Sequence, residues 1–464
     1  MEKSKNLFRF YKKVLLVAFP IIIQNAISNF VSLLDNIMIG RVGTDEMSGV
    51  AIDNQLFFIF YLCIFGAISG AGILTAQFYG KGDHEGVRDT FRFKLVISMI
   101  IMVVGCVIFA LFDNTLIGLY LHEGSETGNL AATLSYGKEY MFVMLFGMFP
   151  FAVESSYSGT LRETGQTFVP MVASFAAVLV NLVLNYILIY GKFGAPALGV
   201  TGAAIATVIS RYIQMTIVVV WTHRHPDRNK FITGTYSSFK IRKGLTGRMV
   251  RLGLPLLINE TLWSAGVAVQ LQAYSIRGLA VVAGMNITST ISNMFSVAFF
   301  AMGDAVAIIV GQMLGAGELK EAKKAAYKII ALSTFIGAVC GVLMFLTSPL
   351  FPQIYNTTDE VRELAKKFMQ AFAILMPVMS FLHATYFTIR SGGKTVVTFL
   401  FDSCFLWVVA VPITYYLSGY TTLNIVNVYF LCMAVDGIKL IIGWILLVKG
   451  VWIQNLTGYG SCNE

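Results

Sequence analysis

The sequence predicts an all-α membrane protein with twelve transmembrane helices in two pseudo-symmetric six-helix bundles. The first observation is composition: 56% of the 464 residues are hydrophobic and 13% are charged, with a mean hydropathy of +0.72. A soluble domain carries about 25% charged residues. The second observation is a series of long apolar runs, since about 20 apolar residues cross a bilayer. The third is an internal repeat that relates residues 1–220 to residues 250–450.

The repeat is carried by small and polar residues that recur 235 positions apart. The recurring pairs are Pro20 and Pro255, Gly49 and Gly284, Gln77 and Gln312, Gly80 and Gly315, and Gly82 and Gly317. Later in each half an R-x-x-G-x-T motif begins, at Arg162 and at Arg390, 228 positions apart. Duplicated membrane halves are typical of secondary transporters, in which the substrate path lies between the halves.

Each apolar run is long enough for one transmembrane helix. We expect helices at about 14–38, 51–79, 95–116, 137–159, 168–191, 199–221, 250–275, 284–313, 327–350, 367–389, 396–418 and 424–448. The stretch 223–247 is the only long polar connection, so we expect an N-lobe at 1–222, a linker at 223–247 and a C-lobe at 248–464. Pro20 and Pro255 each remove a backbone hydrogen bond from the first helix of a half, where we expect a kink.

Basic residues concentrate before span 1 and in the loops between spans 2 and 3, 6 and 7, and 8 and 9. With twelve spans these loops share one side, and the positive-inside rule then places both termini in the cytoplasm. The pattern is typical of a bacterial or archaeal plasma membrane protein whose basic loops contact the headgroups of the lipid bilayer. It explains the net charge of +9 without nucleic acid as a partner.

The sequence lacks the motifs of several classes of function. No GxxxxGK[ST] motif is present, so nothing in the sequence indicates ATP as the energy source. The six cysteines form no closely spaced pair, which argues against a disulfide framework and against a metal cluster. An intramembrane enzyme would need paired catalytic groups such as HExxH, which is absent, and would leave the two-fold repeat unexplained.

These motifs resemble those of the multidrug and toxic compound extrusion (MATE) transporters over nearly the whole chain. The matching segments are FPIIIQNAISNFVSLLDNIMIGRVG (19–43), AQFYGKGD (76–83), LRETGQT (161–167), NLVLNYILIYGKFGAPALGVTGAAIAT (181–207), LGLPLLINETLW (252–263) and GQMLGAGE (311–318). The resemblance implies two six-helix lobes around a V-shaped cleft, and export coupled to inward flow of Na⁺ or H⁺ with no other cofactor. It also implies a functional monomer.

Asp35 is the strongest candidate for ion coupling, because a carboxylate inside a span is costly and can hold a proton or ligate Na⁺. Family members carry a coupling aspartate at this motif position, and Asn181, Asn185 and Thr207 match the rest of the N-lobe cation site. Asn185 stands where some members have a second aspartate. In the competing interpretation, Asp35 is a helix-end residue facing headgroups and the asparagines only hydrogen-bond neighbouring helices. The predicted Na⁺ ligands are Asp35, Asn181, Asn185 and Glu260.

Glu260 is the second ion-coupling candidate. It lies five residues after Pro255 and resembles the acidic residue that one branch of the family uses in the C-lobe. That branch also has an aspartate eleven residues before the arginine, where this chain has Met379. His383 lies nearby in sequence and is either a substitute partner, as a titratable or hydrogen-bonding group, or a structural residue.

Other charged residues also fall inside spans. Asp436 and Lys439 are three residues apart, which predicts an ion pair on one helix face. We expect Asp53 to be solvated near a span end, and Asp402 has no assigned role. Deep acidic residues would attract cationic compounds to the cleft. The candidate cleft residues are Glu154, Asp304 and His383.

We therefore expect a secondary active exporter that antiports cationic or amphipathic small molecules against Na⁺ or H⁺ by alternating access. Neutralising Asp35, Glu260 or both would change local hydrogen bonding and favour release of the substrate outside. The alternative is a flippase for lipid-linked or other amphipathic substrates, which would need a cationic cleft for phosphate. The acidic character of the candidate residues favours cation export.

Overall fold

The computed structural model describes residues 2–120, 129–355 and 357–458, and all regular elements in these ranges are helical. Twelve stretches are long and apolar enough to cross a membrane, which confirms the predicted all-α membrane fold. The helices are α1 (Glu2–Gly40), α2 (Thr44–Lys81), α3 (His84–Gly118), α4 (Leu130–Glu163), α5 (Phe168–Tyr190), α6 (Gly199–Arg224), α7 (Leu245–Ser275), α8 (Leu279–Gly315), α9 (Leu319–Thr347), α10 (Asp359–Ser391), α11 (Thr395–Phe399), α12 (Val411–Tyr420), α13 (Ile425–Ala434) and α14 (Gly437–Lys449).

The last two spans are each built from more than one helix. The eleventh joins α11 and α12 through π-helical turns at Leu400–Cys404 and Leu406–Ala410. The twelfth joins α13 and α14. Short π-helical stretches are rare and are frequently found at functional sites.

The third span begins earlier than its apolar run. We expected a helix over 95–116, but α3 starts at His84 and carries charged residues in its first turns. Lys94 is fully buried and pairs with Glu163 of α4, while its Nζ also donates to Thr160 Oγ1 at 3.2 Å. These partners compensate the buried charge of Lys94 inside the protein.

The chain forms two compact units that do not follow its sequence halves. The C-terminal unit contains Met1–Ile22, Ala76–Asp83 and Arg251–Glu464, and the N-terminal unit contains Ile23–Thr75 and His84–Val250. Helices α1 and α2 therefore each contribute to both units. In α1 the change of unit comes two residues after Pro20. The lobe boundaries at the 223–247 linker stay a prediction.

The N-terminal unit packs α3 on α4 and packs α6 on both α4 and α5. Its core is rich in aromatic and methionine side chains, including Phe57, Phe60 and Met148. Small residues bring backbones close, as expected for helices in lipid. A Cβ at Gly49 of α2 would collide with the Thr133 carbonyl of α4.

The C-terminal unit packs α8, α9 and α10 against one another, and the first half of α1 joins this core. Val14, Val17 and Ile21 of α1 belong to the same buried cluster as Met302 and Val306 of α8. The start of α1 is therefore anchored by apolar contacts with the second half of the chain.

In the C-terminal unit, a glycine from each copy of the repeat contacts the backbone of the other copy. A Cβ on Gly80 of α2 would collide with the backbone carbonyl of Gln312, and a Cβ on Gly315 of α8 would collide with that of Gln77. The two contacts are related by the 235-residue repeat, so the same surface is used twice. Only glycine permits two helix backbones to approach in this way.

The side chain of Gln77 ties this crossing to later parts of the chain. Its Nε2 donates to the carbonyls of Ser391 at 3.0 Å and Gln454 at 3.2 Å, and its Oε1 accepts from the Leu456 amide at 2.6 Å. Nearby, Trp452 is fully buried, and its carbonyl lies where a side chain on Gly392 would be. Residues 452–456 are thus attached to the unit by these hydrogen bonds and by the buried Trp452.

We expect Gly315→Ala to lower the stability of the folded protein, because the new Cβ would force the Gln77 backbone to move. Overpacking of this kind costs about 1–3 kcal/mol. The thermal midpoint of detergent-purified protein, followed by size-exclusion chromatography after heating, measures the effect. Gly419→Ala is the matched control, since Gly419 lies in α12 of the same unit with open space around it. Equal midpoints for the two variants would contradict the proposed contact.

Candidate functional site

Asp35 lies one turn before the end of α1 and is half-buried. The Nδ2 atom of Asn185 on α5 donates a hydrogen bond of 2.6 Å to Asp35 Oδ1. A second contact between the same helices is made by the Tyr190 hydroxyl, which donates to the Met38 carbonyl at 2.9 Å. The structure thus places the Asp35 carboxylate against α5 and holds it there by a charge-assisted hydrogen bond.

The other predicted residues of this cluster form one hydrogen-bonded row. Asn185 Nδ2 also donates to Asn181 Oδ1 at 3.1 Å, and Asn181 Nδ2 donates to Thr207 Oγ1 of α6 at 3.3 Å. Both asparagines are buried, with exposures of 1% and 4%. The i and i+4 spacing predicted a shared helix face, and the structure brings all four candidates together.

One hydrogen-bond acceptor in this row has no donor in the described part of the chain. Asn185 Oδ1 is buried and has no hydrogen-bond partner among the described residues. A buried carbonyl oxygen without a donor is costly, and here it belongs to the residue that binds Asp35. A carboxylate beside amide and hydroxyl oxygens fits a hard cation such as Na⁺ and equally provides an acceptor for a proton. In the described ranges no three His, Cys, Asp or Glu residues converge as a metal site.

Asp53 of α2 corrects the sequence prediction. We expected it to be solvated near a span end, but its side chain is fully buried. Neither carboxylate oxygen accepts a hydrogen bond of regular geometry from the described part of the chain. The buried phenol of Tyr140 lies within electrostatic range of both Asp53 and Asp35. The sequence did contain an indication of this burial, because an acidic residue in an apolar run is a functional candidate by default.

Glu154 of α4 belongs to a second polar row of the N-terminal unit. It is 9% exposed, and its Oε1 accepts from Ser158 at 2.5 Å and from Gln214 at 3.1 Å. Gln214 Nε2 also donates to Ser174 Oγ at 3.0 Å. The carboxylate is therefore held between α4 and α6 and is already hydrogen-bonded.

This second row continues to the R-x-x-G-x-T motif. Gln24 Nε2 donates to Ser174 Oγ at 2.8 Å, and its Oε1 accepts from Arg162 Nη2 at 2.9 Å. Arg211 of α6 bonds to the Tyr61 hydroxyl and lies over the rings of Tyr61 and Phe151, 4.8 and 5.3 Å from their centroids. The N-terminal unit thus holds half-buried cationic groups beside its acidic ones.

In the C-terminal unit, Asn259 is the centre of a polar cluster that sequence reasoning missed. Its Oδ1 accepts from the Ser403 hydroxyl at 2.7 Å and from the Ser403 amide at 3.3 Å. Its Nδ2 donates to Asp402 Oδ2 at 3.2 Å and to the Tyr386 hydroxyl at 3.3 Å. Both Asp402 and Ser403 lie in the first π-helical stretch, so Asn259 links α7 to the irregular part of span 11.

Glu260, the next residue of α7, is half-buried and lies within electrostatic range of Arg390 and Asp402. Lys439 of α14 is 3.2 Å from Asp436 and 3.7 Å from Asp402, with its ammonium 5.0 Å from the Phe405 ring centroid. The predicted Asp436–Lys439 pair is confirmed. It extends to Asp402, the acidic residue without an assigned role.

The remaining cleft candidates lie close together, where α8 meets α10. The His383 ring packs among aromatic rings, 4.8 Å between centroids from both Phe300 and Phe387. A Cβ at Gly303 would collide with it, and the next residue of α8 is the half-buried Asp304.

A duplicated chain with twelve apolar helices and buried carboxylates paired across helices has the features of an ion-coupled membrane transporter. The MatE family profile matches residues 20–187 and 255–416. This chain therefore belongs to the MatE family of transporters, which confirms the resemblance, and it is a transporter rather than an enzyme.

Similar proteins cover almost the whole chain. The probable multidrug resistance protein NorM of Thermotoga maritima is 23% identical over 451 residues, which are 95% of this chain and 93% of that protein. The probable multidrug resistance protein YoeA of Bacillus subtilis is 26% identical over 426 residues, with coverages of 90% and 89%. A solved outward-facing multidrug resistance MATE family transporter has a TM-score of 0.84 at 19% identity, covering 95% and 96% of the two chains. At that identity the structural match shows the shared fold.

We expect Asn259→Leu to destabilise the C-terminal unit, because it leaves Ser403, Asp402 and Tyr386 without a shared partner. Each buried polar group that loses its partner costs about 1–3 kcal/mol. The thermal midpoint in detergent is the measurement. Thr261→Val is the control, since the exposed Thr261 hydroxyl donates only to the Leu257 carbonyl of its own helix. A midpoint for Asn259→Leu at or above that of the control would contradict the role of Asn259.

Proposed function

We propose that the protein is a secondary active exporter that antiports cationic or amphipathic small molecules against Na⁺ or H⁺ by alternating access. The observation that carries the proposal is the Asp35–Asn185 pair beside the unpartnered Asn185 Oδ1. The names of the curated relatives, multidrug resistance proteins, support the substrate class.

The coupling step follows from the chemistry of this pair. A proton on Asp35 removes the negative charge that strengthens the Asn185 hydrogen bond. A Na⁺ ion would instead bind the carboxylate and the free carbonyl of Asn185 together. Either event changes how α1 is held against α5, and an ion shifts a conformational equilibrium only through such a difference in affinity.

Pro20 provides a position at which α1 can bend when the occupancy of Asp35 changes. The start of α1 packs in the C-terminal unit, Asp35 lies in the N-terminal unit, and the change of unit follows Pro20 directly. Two solved relatives are described as MATE in the bent and in the straight conformation. We infer that α1 of this chain has two shapes that differ in their bend at Pro20, with the occupancy of Asp35 setting their balance.

Coupling at Asp35 is favoured over coupling at Glu260 by the charges around each. Lys439 brings a covalently attached cation to the C-terminal cluster, between Asp402 and Asp436, and Arg390 adds a second positive charge beside Glu260. These cations compete with a soluble ion for the same carboxylates. Asp35 has only the neutral amide of Asn185 as its described partner, so its charge is open to compensation.

A flippase for lipid-linked or other amphipathic substrates is the second candidate function. Two half-buried arginines of the N-terminal unit support it, since the buried atoms Arg162 Nε and Arg211 Nη1 have no hydrogen-bond partner among the described residues. Guanidinium donors bind phosphate oxygens strongly. The acidic candidates Glu154, Asp304 and Asp35 weigh against a purely anionic substrate.

We expect Asp35→Asn to reduce ion-driven ethidium efflux by about tenfold or more, because a charge-assisted hydrogen bond contributes about 1.5–3 kcal/mol. Efflux is measured in proteoliposomes with Na⁺ and H⁺ gradients imposed separately. Asp227→Asn is the control, since Asp227 is exposed in the linker. Loss of efflux only in Glu260→Gln would move coupling to the C-terminal unit.

The same assay separates the two candidate functions. Correctly inserted wild-type protein that drives no efflux of any cationic dye under either gradient would contradict the exporter. Translocation of a fluorescent anionic lipid by that protein would then favour the flippase.

We expect Lys439→Ala to show a larger Na⁺-dependent thermal stabilisation than the wild type. The substitution leaves Asp402 and Asp436 without their shared cation, which costs about 3–5 kcal/mol for a fully buried pair. The cost is smaller here because both aspartates are 26% exposed. Midpoints are compared in NaCl and in choline chloride at equal ionic strength.

Lys439→Ala/Asp402→Asn should lose this Na⁺ effect, because one of the two vacated carboxylates is gone. Lys324→Ala, which removes an exposed lysine paired with Glu321, is the control. A variant that behaves the same in Na⁺ and choline would contradict the view that Lys439 stands in the place of an ion.

A further inference from the structure

A groove with a volume of about 590 Å³ runs along the outer side of α3 in the N-terminal unit. One wall is α3, the other is Val153 of α4, and two aromatic residues of the 223–247 linker complete it at one end. The lining residues are Leu95, Val96, Met99, Ile100, Val103, Val104, Val153, Tyr236 and Phe239. All are apolar apart from the Tyr236 hydroxyl.

The length of the groove matches one leaflet of a bilayer. From Leu95 to Val104 the helix rises about 14 Å, and half of the hydrocarbon core is about 15 Å. Val96, Ile100 and Val103 are 42%, 52% and 53% exposed, so the protein leaves this stripe uncovered. An acyl chain that starts at the linker end fits the depth of the nearest leaflet.

The aromatic end of the groove is held in place. The Tyr236 hydroxyl bonds to the hydroxyl of the buried Tyr157, which also lies 3.1 Å from His223 Nε2. The Tyr236 ring stacks on His223 at 5.8 Å and meets the Phe239 ring at 6.2 Å. A tyrosine fixed in this way at the end of an apolar stripe, such as Tyr236, is typical of the aromatic belt at a membrane interface.

Arg92 clamps this part of the linker to the start of α3. Its guanidinium donates to the carbonyls of Gly234 at 2.7 Å, Thr235 at 2.9 Å and Lys240 at 3.0 Å. Arg242 adds an ion pair of 2.6 Å with Asp89. The groove is therefore formed by fixed elements.

Positive charge lies at the same end. Lys240 directly follows Phe239, its carbonyl is bound by Arg92, and its side chain is exposed. Lys243 is also exposed, and neither lysine has an ion pair within the described ranges. An apolar slot of leaflet length that ends at two exposed ammonium groups matches a molecule with an acyl chain and an anionic headgroup.

We propose that this groove is a binding site for an anionic phospholipid, with one acyl chain along α3 between Leu95 and Val104 and the phosphate beside Lys240 and Lys243. The site does not depend on the transport reaction. A bound lipid would cover the exposed stripe and fasten the linker to α3.

The test is native mass spectrometry of the detergent-purified protein with added phosphatidylglycerol or phosphatidylcholine. We expect tighter binding of phosphatidylglycerol by the wild type. Ile100→Trp should block its acyl chain, with Val103→Phe as a smaller filling variant. Lys240→Gln/Lys243→Gln should weaken binding about 25-fold, since each lysine near a headgroup contributes a factor of about five.

Matched controls make the result specific. Val342→Trp places the same bulk on an exposed position of α9, and Lys13→Gln/Lys320→Gln removes two exposed lysines elsewhere. The site is supported if the groove and lysine variants bind less phosphatidylglycerol than the wild type while the control variants bind as much as the wild type. Unchanged binding in Ile100→Trp and Val103→Phe, or equal affinity for the two lipids, overturns it. A photoreactive residue at Val104 that captures a second polypeptide in place of lipid also overturns it.

Discussion

Charge buried among apolar helices has to be compensated from within the protein, because the surrounding hydrocarbon supplies neither water nor counter-ions. Most of the described structure obeys this constraint. Lys94 pairs with Glu163, Lys439 lies between two aspartates, and Glu154 accepts two hydrogen bonds. Two of the exceptions among the described residues lie where function is expected: the Asn185 Oδ1 atom beside Asp35, and the buried Asp53 carboxylate.

The internal repeat contributes directly to helix packing. Two of its glycines, Gly80 and Gly315, lie where two helix backbones touch. Since each contact uses the partner motif's carbonyl, a change in one half has to be matched in the other. The polar clusters do not share this symmetry, because Asp35 is held by an amide whereas the C-terminal cluster contains a lysine.

Composition and periodicity were sufficient to predict the class of fold and the number of spans, because hydropathy reports directly on helices in lipid. The pair Asp436–Lys439 was predictable from spacing alone. The meeting of Asp35 with Asn185, 150 residues apart, came from family resemblance and not from spacing. Burial of Asp53 and the role of Asn259 were missed, because both depend on which helix packs opposite and on π-helical turns that leave no pattern in hydropathy.

The hydrogen bonds of Gln77 also constrain the order in which the protein is made. Its partners Gln454 and Leu456 follow it by 377 and 379 residues. At about 5–20 residues per second, a ribosome needs roughly 20–75 s to synthesise that length. Throughout this time the side-chain amide of Gln77 lacks these two partners. The attachment of Gln454 and Leu456 to the end of α2 is therefore a late event of biosynthesis. It is completed only after the whole second repeat has been inserted.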